Sequence, residues 1–574
     1  MTGPASALPG MRCISRIPDL AGPDVDIAAA LDRLARDTPD ALAVAEPDGR
    51  RTDVATVAAE SRRIAALLAD GAPRPAIHLD AVGWRYVAAE VACRRVGRPF
   101  VPIDPDVSPL RLAQMALTSG ADVLMRRGAG AAIGPLPPSV RTLDLDAPAG
   151  AARVAATAPA GDGTAFVVFT SGSTGIAKGV GQDVASLASA LRAEIDALDM
   201  RAGDRIALVS RAGVIAGPVF GMLGLAAGAA MLLASDGVSP GDLLAMMRHE
   251  RATHLLCYVG FARALAGHPA AAVSFAGLRA IQIYGDVIGG EDCAALAAVL
   301  PPGARIHLLY GSTESNMMAG WSAPAGLDRT IPRLPLGRPW PGVEMWLRAP
   351  VDEDGVVRAD GGLDGDAPAG ELCMAGPRVF AGYWRDAAAS RPRMIPHPED
   401  AGRVLFANGD LVRLRPDGML DFVGRLDNQV KLRGWRIELE EIEAAARRLP
   451  GVRMAGVVAR RGARGTVDAL ALHVAGTATA DAVADGLRAL LPDHMVPARV
   501  IVGAAIPLTG TGKVDRLRLA EIDRQVREAE ERAAGDAAAG AWPDALSARI
   551  AAAIAEEVEL EAIGPDQRAD DIGL

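Results

Sequence analysis

A loop rich in glycine and hydroxyl side chains follows an apolar, β-branched run in FVVFTSGSTGIAKGV, residues 166–180. Glycines let backbone N–H groups turn toward an anion, and hydroxyl and lysine side chains add further donors. The spacing matches neither a Walker loop nor a dinucleotide fingerprint. Taken alone, the pattern predicts either a phosphate-binding loop or a polar hairpin turn. The residues that would contact a phosphate are Thr170, Ser171, Gly172, Ser173, Thr174, Gly175 and Lys178.

Charge and cysteine usage argue against several classes of function. The formal net charge is −10 at pH 7, and no basic segment provides a footprint for nucleic acid. The five cysteines are far apart and form no C-x-x-C pair, so neither a disulfide framework nor a zinc site is predicted. The N-terminus lacks the basic-then-apolar order of a signal peptide. We therefore expect a cytoplasmic protein without a nucleic-acid partner.

One uncharged stretch, residues 212–235, is long enough to cross a bilayer. It is interrupted by Pro218 and by several glycines, and no basic cluster flanks it. We therefore expect a buried helix and strand of a globular domain there, and no membrane partner.

The elements that must position these residues can be predicted from hydrophobic patterning. Helical runs alternate with short apolar strands from residue 26 through RIALVS, THLLCYV, LRAIQIYG and RIHLLYG. This alternation predicts a largely parallel sheet, with ligands beyond the carboxyl ends of its strands. We expect the loops after FVVFT, IQIYG and HLLYG to face one cleft. Glycine-punctuated strands from about residue 341 predict an antiparallel, β-rich subdomain.

The fold class predicted in this way is α/β. A large N-terminal domain would contain mixed, mostly parallel sheets and the β-rich subdomain. A small α+β C-terminal domain would follow Asp427.

Several further segments occur in a fixed order: YGSTES, GELCMAGPRVFAGYW, NGDLVRLRPDGMLDFVGRLDNQVKLRGWRIELEEIE, LPDHMVP and TGTGKVDR. Together they resemble the core motifs of the adenylate-forming superfamily, which includes adenylation domains of nonribosomal peptide synthetases, acyl-CoA ligases and luciferases. The resemblance covers about residues 28–520. It implies that ATP and Mg²⁺ activate a carboxylic acid as an acyl-adenylate, and that the acyl group then passes to a thiol.

The resemblance also implies roles for the residues that match the nucleotide motifs. The loop from Thr170 to Lys178 would hold the β- and γ-phosphates of ATP. Tyr310 would stack on adenine, and Thr313 belongs to the same nucleotide-binding motif. Asp410 would accept from the ribose hydroxyls, and Arg425 would donate to the sugar or a phosphate.

Three more matches concern the reaction itself. Glu314 would ligate Mg²⁺, a hard cation that prefers carboxylate and phosphate oxygens. Lys513 would bridge the substrate carboxylate and the α-phosphate, where negative charge develops. Asp427 would be the hinge about which the C-terminal subdomain rotates between adenylation and thiol transfer.

The acid-binding pocket can be matched to the family without gaps. Relatives that activate α-amino acids pair the substrate ammonium with an aspartate, and that position falls on Ile215. The other matched positions are Ala216, Val219, Gly260, Gln282, Tyr284, Leu309, Met317 and Met318. None is charged, and a buried ammonium without a counter-ion is costly, so the pattern disfavours a free α-amino acid.

Several substrate acids remain open. An uncharged pocket suits a keto, hydroxy, aryl or short alkyl acid. Tyr284, together with Tyr258 and the two methionines, also suits an onium acid, such as a betaine or a sulfonium carboxylate.

The end of the chain bears on the acceptor thiol. Leu546, Ile550, Ile554 and Val558 recur every four residues, as in an amphipathic helix, and this tail resembles the start of a carrier domain. The implied acceptor is phosphopantetheine on a downstream carrier, in a larger synthetase for a natural product. An acyl-CoA ligase and a non-catalytic nucleotide-binding scaffold are the alternatives.

The predicted domain arrangement follows from these segments. It comprises an N-terminal extension (1–27), an adenylation core (28–426), a C-terminal subdomain (427–520), a linker (521–543) and a truncated start of a carrier domain (544–574).

Overall fold

The computed structural model describes residues 11–21, 25–69, 73–128, 133–147, 163–170, 177–324, 327–349, 367–432, 434–462, 466–503, 505–508 and 514–538. They fall into two compact units. The first contains the described residues up to Thr170 and from Ala177 to Asp427. The second contains the described residues from Asn428 onward.

The largest sheet of the first unit has nine strands. Its six inner strands are parallel, while antiparallel pairs close both edges. The inner strands are almost wholly buried, which explains why they read as continuous apolar runs. In spatial order the strands are β16 (Arg338–Pro339), β15 (Asn316–Ala323), β14 (Arg305–Ser312), β13 (Ala280–Tyr284), β12 (His254–Tyr258), β10 (Arg205–Val209), β11 (Ala230–Ala234), β2 (Leu42–Ala45) and β3 (Arg51–Asp53).

A second sheet of six strands is parallel except for its final pair. The sheet includes the strand that precedes the glycine-rich loop. Its order is β7 (Arg141–Asp144), β6 (Val123–Arg126), β4 (Ala76–Leu79), β5 (Phe100–Ile103), β8 (Thr164–Thr170) and β9 (Lys178–Asp183).

The third sheet is antiparallel throughout and matches the β-rich subdomain expected from residue 341. Its first strand comes from the N-terminal segment, since Met11 lies opposite Arg348 and Arg16 opposite Glu344. The strand order is β1 (Met11–Arg16), β17 (Glu344–Arg348), β18 (Ala369–Ala375), β20 (Val404–Leu414) and β19 (Met394–Pro396), with β21 (Leu420–Arg425) also paired to β20.

Helices connect and cover the sheets of the first unit. Several begin at a capping side chain, such as Asp53 and Asp183, which accept from backbone N–H groups of the first turn. The helices are α1 (Ile27–Asp37), α2 (Val54–Leu68), α3 (Trp84–Arg95), α4 (Pro109–Ser119), α5 (Val184–Leu198), α6 (Ala216–Phe220), α7 (Leu223–Ala227), α8 (Pro240–Glu250), α9 (Val259–Ala266), α10 (Ala271–Ser274), α11 (Gly290–Val299) and α12 (Ala387–Ser390).

The uncharged stretch 212–235 forms α6, α7 and β11, as expected for a globular domain. Within the described ranges, no helix combines the length and apolarity that a bilayer crossing would need.

The second unit has one mixed, five-stranded sheet with helices packed against it. Its buried Glu443 accepts from the backbone N–H of Val457 at 2.9 Å and from Arg516 at 2.7 Å, which ties helix to strand. The strands are β22 (Gln429–Leu432), β23 (Trp435–Glu438), β24 (Val452–Arg461), β25 (Val467–Gly476) and β26 (Arg499–Gly503). The helices are α13 (Leu439–Ala446), α14 (Ala480–Leu490), a 3₁₀ turn (Asp493–Met495) and α15 (Arg516–Ala538).

Candidate functional site

The glycine-rich loop connects the two strands of an antiparallel hairpin. Thr170 at the end of β8 lies directly opposite Lys178 at the start of β9. The Lys178 ammonium lies 5.2 Å from the centre of the Tyr383 ring, within the range of a cation–π contact. The predicted phosphate contacts Ser171, Gly172, Ser173, Thr174 and Gly175 lie outside the described residues.

Glu314 lies in the turn between β14 and β15 and is fully buried. Its Oε1 accepts from the Tyr383 hydroxyl at 3.1 Å, and its backbone carbonyl accepts from Phe380 N at 2.8 Å. The Gln182 amide on β9 donates to the carbonyl oxygen of Thr313 at 3.0 Å. The Glu314 turn therefore contacts the hairpin strand that follows the glycine-rich loop.

The loops that were expected to face one cleft follow strands of two different sheets. The loops after IQIYG and HLLYG follow neighbouring strands of the nine-stranded sheet, but the loop after FVVFT follows β8 in the six-stranded sheet. Alternation of helices and strands predicts parallel pairing but does not specify which sheet a strand joins. The Gln182 to Thr313 hydrogen bond brings segments of the two sheets together.

A buried hydrogen-bond network surrounds Asp410. Its Oδ2 accepts from the Tyr310 hydroxyl and, at 3.0 Å, from the Asn408 amide, which also donates to the Tyr310 oxygen at 2.8 Å. Arg425 donates to Oδ1. Burial and the adjacent Asp410 charge raise the pKa of Tyr310 well above its usual value, so this phenol stays a donor. The strand pairing of Asp410 with Arg425 across β20 and β21 sets this geometry.

Asp427, the last residue of the first unit, is held by two arginines. Arg425 reaches its carboxylate through Nη2 at 2.7 Å, and Arg393 reaches the same oxygen at 2.8 Å. Burial alone would raise the pKa of Asp427, but the hydrogen bonds and charges of both arginines lower it to about 2. The predicted hinge residue is therefore ionised in the neutral pH range and bonded within the first unit.

The side chains of the site fit a magnesium ion that would take most of its ligands from a bound phosphate group and from water. In the described part of the chain, no group of three or more His, Cys, Asp or Glu side chains is arranged to hold a metal. Glu314 provides a buried carboxylate, the ligand type that Mg²⁺ prefers. Mg²⁺ often takes one or two carboxylates and completes its shell with phosphate oxygens and water. A single carboxylate is thus sufficient for such a site.

The predicted acid pocket draws its residues from α6, β13, β14 and β15. The Tyr284 ring packs edge-on against Phe220 with centres 5.4 Å apart, and the Tyr284 hydroxyl donates to the Val209 carbonyl at 3.3 Å. Gly260 lies on α9 and is exposed. The pocket residues that belong to one hydrophobic cluster of the first unit are Ile215, Ala216, Val219, Tyr284, Leu309, Met317 and Met318.

A buried charge next to this set was missed in the sequence. The Gln282 amide on β13 donates to the Glu194 carboxylate on α5, and both side chains are fully buried. Burial raises the pKa of Glu194 to about 8, although Gln282 and Arg378 act in the opposite direction. A signal was present, because Leu187, Leu191, Glu194 and Leu198 are spaced as one buried face of a helix.

Two predicted features cannot be placed. Lys513 and the carrier-like tail from residue 544 onward both lie outside the described residues.

Comparison with known proteins gives two family matches. Residues 31–384 match the model of "AMP-binding enzyme", and residues 441–513 match that of "AMP-binding enzyme C-terminal domain". A probable non-canonical nonribosomal peptide synthetase of Salinispora arenicola, CymA, is 32% identical over 502 residues, which cover 83% of this chain. This chain spans only 6% of that relative's length.

Solved structures give the same architecture. A nonribosomal peptide synthetase protein with adenylation and PCP domains, PA1221, matches with a TM-score of 0.73 and 22% identity, covering 96% of this chain and 89% of that one. A malonyl-CoA ligase in complex with methylmalonyl-CoA and AMP matches with a TM-score of 0.68 and 25% identity, covering 83% of this chain and 99% of that one.

Proposed function

This chain belongs to the AMP-binding enzyme family, and we propose that it converts a carboxylic acid and ATP into an acyl-adenylate, which it transfers to a carrier-bound thiol. The observation that carries the proposal is the buried network of Tyr310, Asn408, Asp410 and Arg425. Such a network fixes a carboxylate and a guanidinium where the family motifs would hold a nucleoside.

The network also constrains how a ribose could bind. Each carboxylate oxygen has two acceptor positions. Tyr310 and Asn408 occupy both positions on Asp410 Oδ2, whereas Arg425 occupies one on Oδ1. One ribose hydroxyl could therefore donate to Oδ1 at once. The second could donate to Oδ2 only after the Tyr310 hydroxyl moves away, which would free that ring to lie against adenine.

The phosphates would be held by the glycine-rich loop, with Thr170 and Lys178 at its two ends. Glu314 would hold the magnesium ion, and Tyr383 fixes the orientation of that carboxylate. Magnesium, when bound, offsets the negative charge of the triphosphate. In-line attack by the substrate carboxylate on the α-phosphorus would release pyrophosphate, and Lys513 would stabilise the charge that develops there.

The acid would lack a free α-amine, because Ile215 stands where an aspartate would pair that amine. Apolar neighbours such as Val219 and Met318 offer no replacement charge at that position. Keto, hydroxy, aryl, short alkyl and onium acids all remain within this class. A carboxylic acid whose amine lies elsewhere also fits it.

The acceptor would be phosphopantetheine on a carrier domain. Three observations support a carrier: the carrier-like tail, the similarity to a nonribosomal peptide synthetase, and the fold shared with an adenylation–PCP protein. The corresponding domain arrangement is an adenylation core (28–426), a C-terminal subdomain (427–520), a linker (521–543) and the start of a carrier domain. An acyl-CoA ligase is the second candidate, because a malonyl-CoA ligase shares the fold.

Isotope exchange between pyrophosphate and ATP, measured over a panel of acids, tests the first half-reaction. Exchange with at least one acid that lacks an α-amine is expected. Its absence with every acid would favour a non-catalytic scaffold. Acyl transfer to a full-length carrier and to coenzyme A, measured side by side, then separates the two acceptors.

A further inference from the structure

Two buried oxygen atoms near the proposed acid pocket have no hydrogen-bond donor. The Gln282 amide nitrogen donates to Glu194 Oε1, so Gln282 Oε1 and Glu194 Oε2 are the two oxygens of the pair that this hydrogen bond does not use. Within the part of the chain that the structure describes, neither Glu194 Oε2 nor Gln282 Oε1 has a partner. Both side chains are fully buried, so water does not solvate these atoms from the surface.

The two oxygens lie against the residues that would hold the acid. Gln282 and Tyr284 are two residues apart on β13, so their side chains project to the same face of the sheet. Burial is the main cause of the raised pKa of Tyr284, and the charges of Cys257 and Glu194 act in the same direction. The Tyr284 ring in turn packs against Phe220 at the end of α6, the helix that carries Ala216 and Val219.

The chemistry that would satisfy this pair is a donor with a positive charge. Leaving a buried acceptor without a donor costs about 1–3 kcal/mol, and more for a charged group. Arg378 does not donate to this pair: Nη1 and Nη2 donate to the Ser189 hydroxyl and the Pro341 carbonyl, and Nε has no partner among the described residues. A substrate ammonium could donate to Glu194 Oε2 and to Gln282 Oε1 together. Because the pKa of Glu194 is about 8, binding would release the carboxyl proton to solvent and leave a carboxylate that the ammonium neutralises.

We propose that Glu194 and Gln282 recognise a protonated amine that the substrate acid carries beyond its α-carbon. The inference rests on the proposed function, which it narrows to amine-bearing acids such as β- or γ-amino acids or an aminomethyl aryl acid. It is compatible with Ile215, because the amine is then bound on β13 and α5 instead of at the start of α6. Glu194 acts as a specificity-determining residue.

Matched pairs of acids provide the test. β-Alanine is compared with butanoate, γ-aminobutyrate with pentanoate, and aminomethylbenzoate with ethylbenzoate, in pyrophosphate exchange at pH 8. The intact chain should prefer the amine of at least one pair by about tenfold or more in kcat/KM. Glu194→Gln should reduce that ratio by about ten- to hundredfold, because the amide carries no charge and offers one acceptor in place of two.

A matched control is available in Glu90 on α3. It is also buried and both of its carboxylate oxygens lack partners among the described residues, but the Gln282 amide donates to Glu194 and not to this carboxylate. Glu90→Gln should leave the amine-to-alkyl ratio within about threefold of the unmodified chain. Gln282→Met, which removes one acceptor, provides a second test should Glu194→Gln not fold, and it should lower the ratio by about tenfold.

Thermal stabilisation by each acid, measured without ATP, separates this inference from the proposed function. If exchange is absent but amine acids still stabilise the intact chain and not Glu194→Gln, the pair binds an amine although the adenylation proposal is wrong. Preference for the alkyl acid in every pair would overturn the inference while adenylation stands. An amine-to-alkyl ratio of kcat/KM that is unchanged in Glu194→Gln would also overturn the inference. It would indicate that buried water donates to the two oxygens.

Discussion

At the scale of single residues, the proposed function implies that Tyr310 and a nucleotide sugar would compete for the same acceptor on Asp410. Tyr310→Phe keeps the ring but removes the donor to Oδ2. We expect this variant to change the KM for ATP by less than about threefold. Asp410→Asn replaces one carboxylate oxygen by a donor and should raise that KM by about ten- to hundredfold, the effect of an unpaired buried group. Initial rates of exchange at varied ATP, with the acid saturating, give both values.

Equal effects of the two substitutions would contradict this competition. They would indicate that Tyr310 and Asp410 act as one structural unit. Melting temperatures of both variants serve as the control for folding.

Glu194 should make stability depend on pH. Its pKa in the folded chain is about 8, against an ordinary value of 4.5, because burial disfavours the charged form. The folded state therefore keeps a proton between these values that the unfolded state has lost, and stability falls as pH rises through this window. Gln282, Tyr284 and Arg378 face the carboxyl, and none of them loses its charge or proton there.

The measurement compares melting temperatures of the intact chain and Glu194→Gln at pH 5.5 and pH 8.5. The melting temperature of the glutamine variant should rise relative to that of the intact chain as the pH rises, since its amide cannot ionise. Other titrating groups cancel in the difference. A difference that is equal at both pH values would show that Glu194 stays in one protonation state.

The motif residues were assigned from the sequence by resemblance, and their roles stay predictions, whereas the contact between Glu194 and Gln282 was not predicted. Tyr310 and Glu314 lie in one short segment, YGSTES, and the resemblance of this segment to a family motif implies their roles. Glu194 on α5 and Gln282 on β13 are 88 residues apart and meet only in the tertiary structure. A gapless match to pocket positions assigns Gln282 but contains no information about the helix that faces it. Long-range side-chain contacts of this kind require the tertiary structure.

At the scale of elements, the N-terminal segment shows the same limit. Its sequence predicted an extension, but residues 11–16 form the edge strand β1 of the antiparallel sheet. Arg16 adds ion pairs with Glu344 at 2.8 Å and with Glu399, although the arginine side chain is 47% exposed. Exposed ion pairs contribute about 0–1 kcal/mol, so most of the strand's contribution must come from its backbone hydrogen bonds and packing.

Removing β1 should therefore destabilise the first unit more than removing the ion pairs of Arg16. Deletion of residues 1–16 would leave β17 as an unpaired edge, which also favours aggregation. We expect the deletion to lower the melting temperature by about 4 °C or more, and Arg16→Ala by about 2 °C or less. Thermal unfolding of both variants checks the order. A larger effect of Arg16→Ala than of the deletion would indicate that the ion pairs of Arg16 contribute more to stability than the rest of the strand.

At the scale of the whole molecule, the chain divides into two compact units close to the predicted hinge. The sequence placed the hinge at Asp427, and the two compact units separate between Asp427 and Asn428. The sequence contains a signal for this division, because the antiparallel strands of the first unit end at Arg425. A new strand begins at Gln429 and a helix follows at Leu439. The division into units does not show that the C-terminal unit rotates about Asp427, and a substitution at this residue tests the proposed rotation.

Asp427→Pro should separate the two half-reactions. Proline fixes φ near −65° and restricts the preceding residue, so it limits the torsion changes that a rotation at this point needs. Asp427→Ala is the matched control, because it removes the same contacts with Arg425 and Arg393 but leaves the backbone free. Pyrophosphate exchange should stay within about threefold of the alanine variant, whereas acyl transfer to the carrier should fall by about tenfold or more.

Lys513→Ala provides the opposite pattern. It should lower exchange by about 10²- to 10³-fold, the effect of losing a preorganised charge, and should affect transfer from preformed adenylate much less. Single-turnover assays of each half-reaction, started from ATP or from the acyl-adenylate, measure Lys513→Ala and Asp427→Pro on one scale.

Equal losses of acyl transfer in Asp427→Pro and Asp427→Ala would assign the effect to the carboxylate of Asp427. Only a loss confined to transfer and to proline supports rotation about Asp427 as the step that exchanges the lysine for the thiol.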